Sequence, residues 1–223
     1  MSAFRVDGPS GFGVVGRVLS REDAGPDEPR APRPRRRLWA IALAALLAAF
    51  AAWQLGAAGT VQAKALLAQH LIAASWRSAL EGHARPPWPR ADTRPVARLT
   101  VPSRGVELFV LAGTSGRSLA FGPGHVDGTA LPGSGGNSVI VAHRDTHFAF
   151  LRDLGPDDVI AVEDLRGRVT RYRVREAAVV DKGETRVLDP ADSPQLTLIT
   201  CFPFDALAPG TPLRYVVIAD RFA

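Results

Sequence analysis

The sequence predicts an all-β body of eight short strands, closed as a barrel or folded as a sandwich, behind a single N-terminal transmembrane helix. Three observations carry that expectation. Beyond about residue 96 apolar and polar residues alternate with period two, Gly, Pro and Asp clusters interrupt the alternation, and no long helical pattern intervenes. Leu38 to Ala63 is a run of 26 residues without a charge, and about 20 apolar residues suffice to cross the hydrocarbon core of a bilayer. Of the 223 residues, 46% are apolar and 22% charged, which suits a packed core and argues against wholesale disorder.

Residues 1–37 hold eight Arg and five acidic residues among many Gly, Pro and Ser. Such a segment buries too little apolar surface to offset the entropy of ordering, so it reads as a disordered cytoplasmic tail. Its last turns carry Arg33, Arg35, Arg36 and Arg37, and basic residues stay on the cytoplasmic side during insertion. The anchor follows at residues 38–59, with Trp39 and Trp53 near its ends, where amphipathic rings favour the interface. A cleaved signal peptide is the competing reading, but this apolar run exceeds the usual span of about 7–15 residues and its leader is long. On either reading the C-terminal body is extracytoplasmic.

Residues 60–95 form the next unit. Val61, Ala65, Leu66, Ala68, Leu71, Ile72, Trp76, Ala79 and Leu80 recur close to i, i+3, i+4, i+7, which predicts an amphipathic helix, with His70 a surface residue. Gly82, Pro86, Pro87, Pro89 and Pro95 then break the pattern and predict an irregular linker. The body, residues 96–223, shows eight strand-like runs: Ala97–Val101, Val106–Leu111, Ser138–His143, Val159–Glu163, Arg168–Val174, Ala177–Asp181, Leu196–Cys201 and Leu213–Ala219.

Charge and cysteine content remove several functions. After residue 37 there are 19 basic and 17 acidic residues with no basic stripe interleaved with aromatics, so no nucleic-acid partner is expected. Cys201 is the only cysteine, which excludes an intramolecular disulfide and any multi-cysteine metal site within one chain. His143, Asp145 and His147 have the form H-x-D-x-H, but no further histidine cluster supports a metal site, and Asp145 reads as a turn residue. No cofactor is expected.

Cys201 ends the apolar run LTLITC where a loop begins. A lone cysteine is most often a small buried hydrophobe, yet an unpaired thiol in an exported chain calls for a reason. As a nucleophile it needs a base or a cation nearby, because a free thiol is only about 3% ionised at neutral pH. His143, at the end of SVIVAH, supplies the imidazole. Arg214 opens LRYVVIA, 13 positions beyond Cys201; if those runs form an antiparallel hairpin, a permanent cation stands beside the thiol.

The order His143, Cys201, Arg214 on a short-stranded body behind an anchor resembles the sortase family of cysteine transpeptidases. The resemblance covers about Pro86 to the C-terminus and rests on FGPGHVDGTALPGSGGNSVIVAHRDTHF at 121–148 and LTLITCFPFDALAPGTPLRYVVIA at 196–219. PPWPRADTRPVARL, HRDTHFAFLRDL and CFPFDAL are similar to the class GN branch of Gram-negative bacteria. That branch usually has tryptophan near Arg90 and Arg94, and a Gly-His-Arg where this chain has Ala142-His143-Arg144.

The resemblance implies an eight-stranded sortase-like β-barrel and catalysis by Cys201, His143 and Arg214, with Asn137, Ala142 and Thr200 shaping the substrate site. It also implies a protein partner, an exported substrate with a C-terminal sorting signal similar to Leu-Pro-x-Thr-Gly, and transfer to an amine. Papain-type and caspase-type cysteine signatures are absent. The L,D-transpeptidases usually have Gly before the cysteine and Arg two places after, where this chain has Thr200 and Pro203. A non-catalytic envelope-binding module and a purely hydrolytic cysteine peptidase are the alternatives.

Overall fold

The computed structural model describes residues 34–206, 208 and 210–222. The expected cytoplasmic tail therefore lies outside the described residues, apart from Pro34–Arg37, which open the first helix. This helix, α1, runs from Pro34 to Leu80. It is long and apolar enough to cross a membrane, with a mean hydropathy of 2.0 over its most apolar stretch. The chain divides into two compact units after Trp53. The first contributes the helical residues 34–53; Leu38, Trp39, Ile41, Leu47 and Phe50 on it are all exposed.

The second unit holds the rest of α1 and the β body. The buried face of α1 is narrower than the periodicity predicts. Ala68, Ile72 and Trp76, four residues apart, are buried, whereas Ala65 and Leu66 on the same predicted face are exposed. Trp76 tilts against Phe109 with ring centroids 6.2 Å apart. The Gln69 side-chain amide donates to the Phe121 carbonyl at 2.7 Å, and Ser75 Oγ donates to the Arg85 carbonyl.

The body is a closed barrel of eight strands in the order β1-β2-β3-β4-β7-β8-β6-β5. The strands are β1 (Pro95–Val101), β2 (Val106–Ala112), β3 (Gly124–His125), β4 (Asn137–Val141), β5 (Val159–Asp164), β6 (Val169–Asp181), β7 (Gln195–Phe202) and β8 (Leu213–Arg221). A one-turn helix, α2 (Gly116–Leu119), follows β2, with Ser115 Oγ accepting from the Ser118 N–H as its cap. β5 pairs back onto β1, so the sheet has no open edge where the two meet.

The count of eight is as expected, but the membership differs. The runs at 168–174 and 177–181 are one strand: the register with β8 shifts between Val174 and Glu176, so a bulge absorbs Arg175 as the extra residue where Arg175-Glu176 interrupts the alternation. The eighth strand is β3, two residues long, parallel to β2 and antiparallel to β4. Two residues carry no periodicity. Glycine is required at 124, because a Cβ there would collide with the Gly113 carbonyl oxygen.

Alternation sorts the strands into two faces. Ile140, Ala142, Leu196, Leu198, Val217 and Ala219 point into the barrel and pack with Leu99, Phe148, Ile160 and Tyr172. Their sequence neighbours Val139, Val141, Ile199, Val216 and Ile218 form a second apolar cluster on the outer face, covered by Val187 and Leu188 from the β6–β7 connection. That outer face carries the site.

Candidate active site

Cys201 is the penultimate residue of β7, and β7 lies between β4 and β8. On one side the antiparallel ladder pairs Cys201 directly with Arg214, the second residue of β8. On the other, β4 and β7 run parallel and their last register pair is Val141 with Ile199. β4 ends at Val141, so His143 does not end a strand as expected; it lies two residues beyond.

The pairing nevertheless continues past the strand. The Ala142 N–H donates to the Ile199 carbonyl at 3.2 Å, and Thr200 Oγ1 donates to the Ala142 carbonyl at 2.8 Å across 58 residues, the offset of the register pairs. One further step of that offset brings His143 level with Cys201. Successive side chains alternate between faces, so His143, Cys201 and Arg214 fall on the outer face with Val141, Ile199 and Val216. Imidazole, thiol and guanidinium thus come from three adjacent backbones, spaced about 5 Å from one to the next.

The three differ in surroundings. His143 is exposed, and Cys201 and Arg214 are half-buried. Cys201 is a free thiol. Arg214 Nη1 donates to the carbonyls of Thr211 and Leu213, at 2.7 and 2.9 Å. Among the described residues no carboxylate forms a salt bridge with it, so its charge is not neutralised by a neighbouring acid. Beneath the row, Phe202, Phe204 and Tyr215 pack together, with Phe204 and Tyr215 edge to face at 5.2 Å, giving the loop after Cys201 a rigid floor.

Ala142, Thr200 and Asn137 have other positions. Ala142 is buried in the barrel core and contributes through its backbone. Thr200 is buried, its hydroxyl fixing Ala142. Asn137 stands at the opposite end of β4 from His143, about 20 Å away along the strand, so the structure does not bring it to the thiol. Its amide nitrogen donates to the carbonyls of Val187 and Asp189, both at 3.0 Å, and its oxygen accepts from Thr197 Oγ1 at 2.7 Å. It pins the β6–β7 connection against the sheet. Beside it a cleft of about 450 Å³ is lined by Asn137, Val180, Glu184, Val187, Gln195 and Ile218. The outer apolar strip lies between that cleft and the cysteine row.

One residue of the site is not legible as such from sequence. Arg144, the residue after His143, is only 4% exposed. Its Nη1 donates to the Pro203 carbonyl at 2.9 Å, and its Nη2 to the Ala206 and Ala208 carbonyls at 2.5 and 3.1 Å. Its Nε donates to Asp145 Oδ1 at 3.1 Å. A single guanidinium therefore ties the segment after His143 to the segment after Cys201. The signal available was an arginine adjoining the histidine, with no long-range pattern to reveal its partners. Within the same turn, burial and then the nearby His143 hold the imidazole of His147 below its ordinary titration range.

The closed barrel thus sets a free cysteine on a strand between the one that leads to His143 and the one that carries Arg214. The family model of the sortase domain matches residues 99–222, and the chain belongs to the sortase family. It is 30% identical over 124 residues to sortase D of Bacillus subtilis (strain 168), an alignment covering 55% of this chain and 62% of the relative. The chain thus spans less than two thirds of that relative's length. Among solved structures it is similar to sortase A from Corynebacterium diphtheriae, with 31% identity, a TM-score of 0.54 and coverage of 60% and 63% of the two chains. It is also similar to sortase C-1 from Actinomyces oris, with 35% identity, a TM-score of 0.53 and coverage of 59% and 76%.

Proposed function

We propose that this protein is a membrane-anchored cysteine transpeptidase of the class GN branch, which cleaves a C-terminal sorting signal in an exported protein and transfers the acyl group to an amine. The observation that carries this reading is the row His143, Cys201, Arg214 on three adjacent backbones. The class GN assignment is supported by the motifs around Trp88, His143 and Cys201. In this reading residues 1–37 are the cytoplasmic tail, 38–59 the anchor in the inner membrane, 60–95 the helix and linker, and 96–223 the periplasmic catalytic barrel.

The chemistry follows from the three groups. The Cys201 thiolate attacks the scissile carbonyl carbon, giving a tetrahedral oxyanion. Arg214 donates to that oxygen and offsets its charge. Protonated His143 gives its proton to the departing amine as the C–N bond breaks, leaving a thioester on Cys201. The incoming amine then loses a proton to His143 and attacks the thioester, and the C–S bond breaks to return the thiolate. The exposed position of His143 lets it serve both the leaving and the arriving amine. The cleft held by Asn137, with Val180 and Ile218 in its wall, forms part of the bed for an extended peptide. No cofactor takes part in these steps.

The test combines the full chain in detergent with peptides ending in candidate sorting signals, with and without a primary amine, and follows products by mass spectrometry. Formation of an amide product that requires the amine supports the reading. Formation of the free acid alone, unaffected by amine, makes the protein a hydrolase instead.

A further inference from the structure

We propose that Leu66, Leu67, Leu71, Trp88 and Phe121 form a phospholipid-docking rim that seats the catalytic end of the barrel on the bilayer holding the chain's own N-terminal helix. This rests on the reading of residues 38–59 as the membrane anchor, within an uncharged run that continues to Ala63. Lys64 is the first charged residue after that uncharged run, and among the helical residues whose burial is described Ala68 is the first to be buried. At 1.5 Å per residue these positions are about 6 Å apart along the helix. Within the second unit the helix runs without a break from Gln54 through Lys64 to Ala68, so the apolar surface beside Lys64 is the part of the body that follows most directly on the uncharged run.

That surface has the composition of an interfacial contact. Leu66 and Leu67 are 72% and 59% exposed. A cleft of about 200 Å³ is lined by Lys64, Leu67, Ala68, Leu71, Trp88 and Phe121. Trp88 and Phe121 meet edge to face at 5.0 Å, and the Gln69 bond to the Phe121 carbonyl fixes this pair against the helix. Tryptophan favours the headgroup level, and a lysine stem lies along apolar surface while its ammonium reaches phosphate. Continuity with the uncharged run names the bilayer as the occupant: Gln54–Ala63, within the same compact unit, bring no charge to the rim.

The rim also shares an end of the barrel with the cysteine row. β3 and β4 are antiparallel, with Gly124 opposite Val141; Phe121 precedes Gly124 and His143 follows Val141, so both lie toward the same end. Docking therefore holds the thiol close to the membrane surface, within reach of a peptide segment that emerges from the bilayer.

The full chain is reconstituted in vesicles of phosphatidylcholine and phosphatidylglycerol, with or without bromine on the acyl chains near the headgroup. A Trp39→Phe/Trp53→Phe variant leaves Trp88 and the 3% exposed Trp76 as emitters; adding Trp88→Phe leaves Trp76 alone. A bromine-dependent loss of emission that disappears with Trp88→Phe, and that Leu66→Glu/Leu67→Glu diminishes, is the expected result. Undiminished quenching in the double-glutamate variant overturns the rim. So does the absence of Trp88 quenching: with Trp53 quenched in a Trp39→Phe/Trp88→Phe chain, the anchor stands without the rim, and with Trp53 also unquenched, both fail.

Discussion

Cys201 and Arg214 are register partners across the β7–β8 ladder, so thiol and guanidinium leave the same face of the sheet from opposed backbone positions. Side chains so placed sit about 5 Å apart at Cβ. In the proposed mechanism the side-chain fork of Arg214 meets the oxyanion that forms on a carbonyl attached to Cys201.

Replacing Arg214 by Lys keeps the charge and loses the planar fork. We expect acylation by a peptide substrate to slow about 100-fold, the scale of losing one preorganised oxyanion donor, while circular dichroism and melting temperature hold. Stopped-flow single-turnover kinetics read the rate; near-normal acylation would make Arg214 structural.

Arg144 predicts a different pattern. Arg144→Ala leaves the Pro203, Ala206 and Ala208 carbonyls without their donor, and we expect a stability loss of about 2 kcal/mol in urea titrations. Because those carbonyls follow Cys201 directly, alkylation of the thiol should also lose its dependence on His143, an effect that a merely destabilised but correctly assembled site would not show. Comparing iodoacetamide rates for wild type, Arg144→Ala, His143→Gln and the double variant checks it.

Asn137→Ala should spare the chemistry and impair binding. The variant frees the β6–β7 connection, 20 Å or so along β4 from His143. The expected outcome is a KM raised about tenfold, corresponding to about 1.4 kcal/mol, with kcat and thiol alkylation unchanged. A fall in kcat at constant KM would contradict the assignment.

His147 gives the fold a pH dependence. Its imidazole titrates below the ordinary value of 6.5 when folded, so the unfolded chain binds the extra proton first as pH falls. Stability from this group is complete above about pH 6.5 and is lost as pH drops through the lower folded value. Urea midpoints measured between about pH 8 and pH 5 should fall less in His147→Asn than in wild type. Removing the second cause with His143→Gln should raise the His147 titration in NMR.

Much of the barrel was legible because burial alternates along strands such as β1 and β5, where every second residue enters the core, and because apolar runs such as Leu196–Cys201 are bounded by turn residues. β3 was not, since Gly124 and His125 owe their strand geometry to neighbours contributed by β2 and β4. The break at Arg175-Glu176 divided one strand into two runs because a bulge interrupts period two as a turn does. In the candidate site, Cys201 and Arg214 were readable as the facing ends of two adjacent strands. Arg144 was hidden because its partners are backbone carbonyls, which have no residue identity in the sequence, roughly 60 positions away.

The most direct test is the mass of the intact protein after incubation with a sorting-signal peptide and no amine acceptor. The account predicts a covalent adduct equal to the acyl part of the peptide, mapped to Cys201 and discharged by hydroxylamine, and absent from Cys201→Ala. Cleavage of the peptide by Cys201→Ala at the wild-type rate would contradict it.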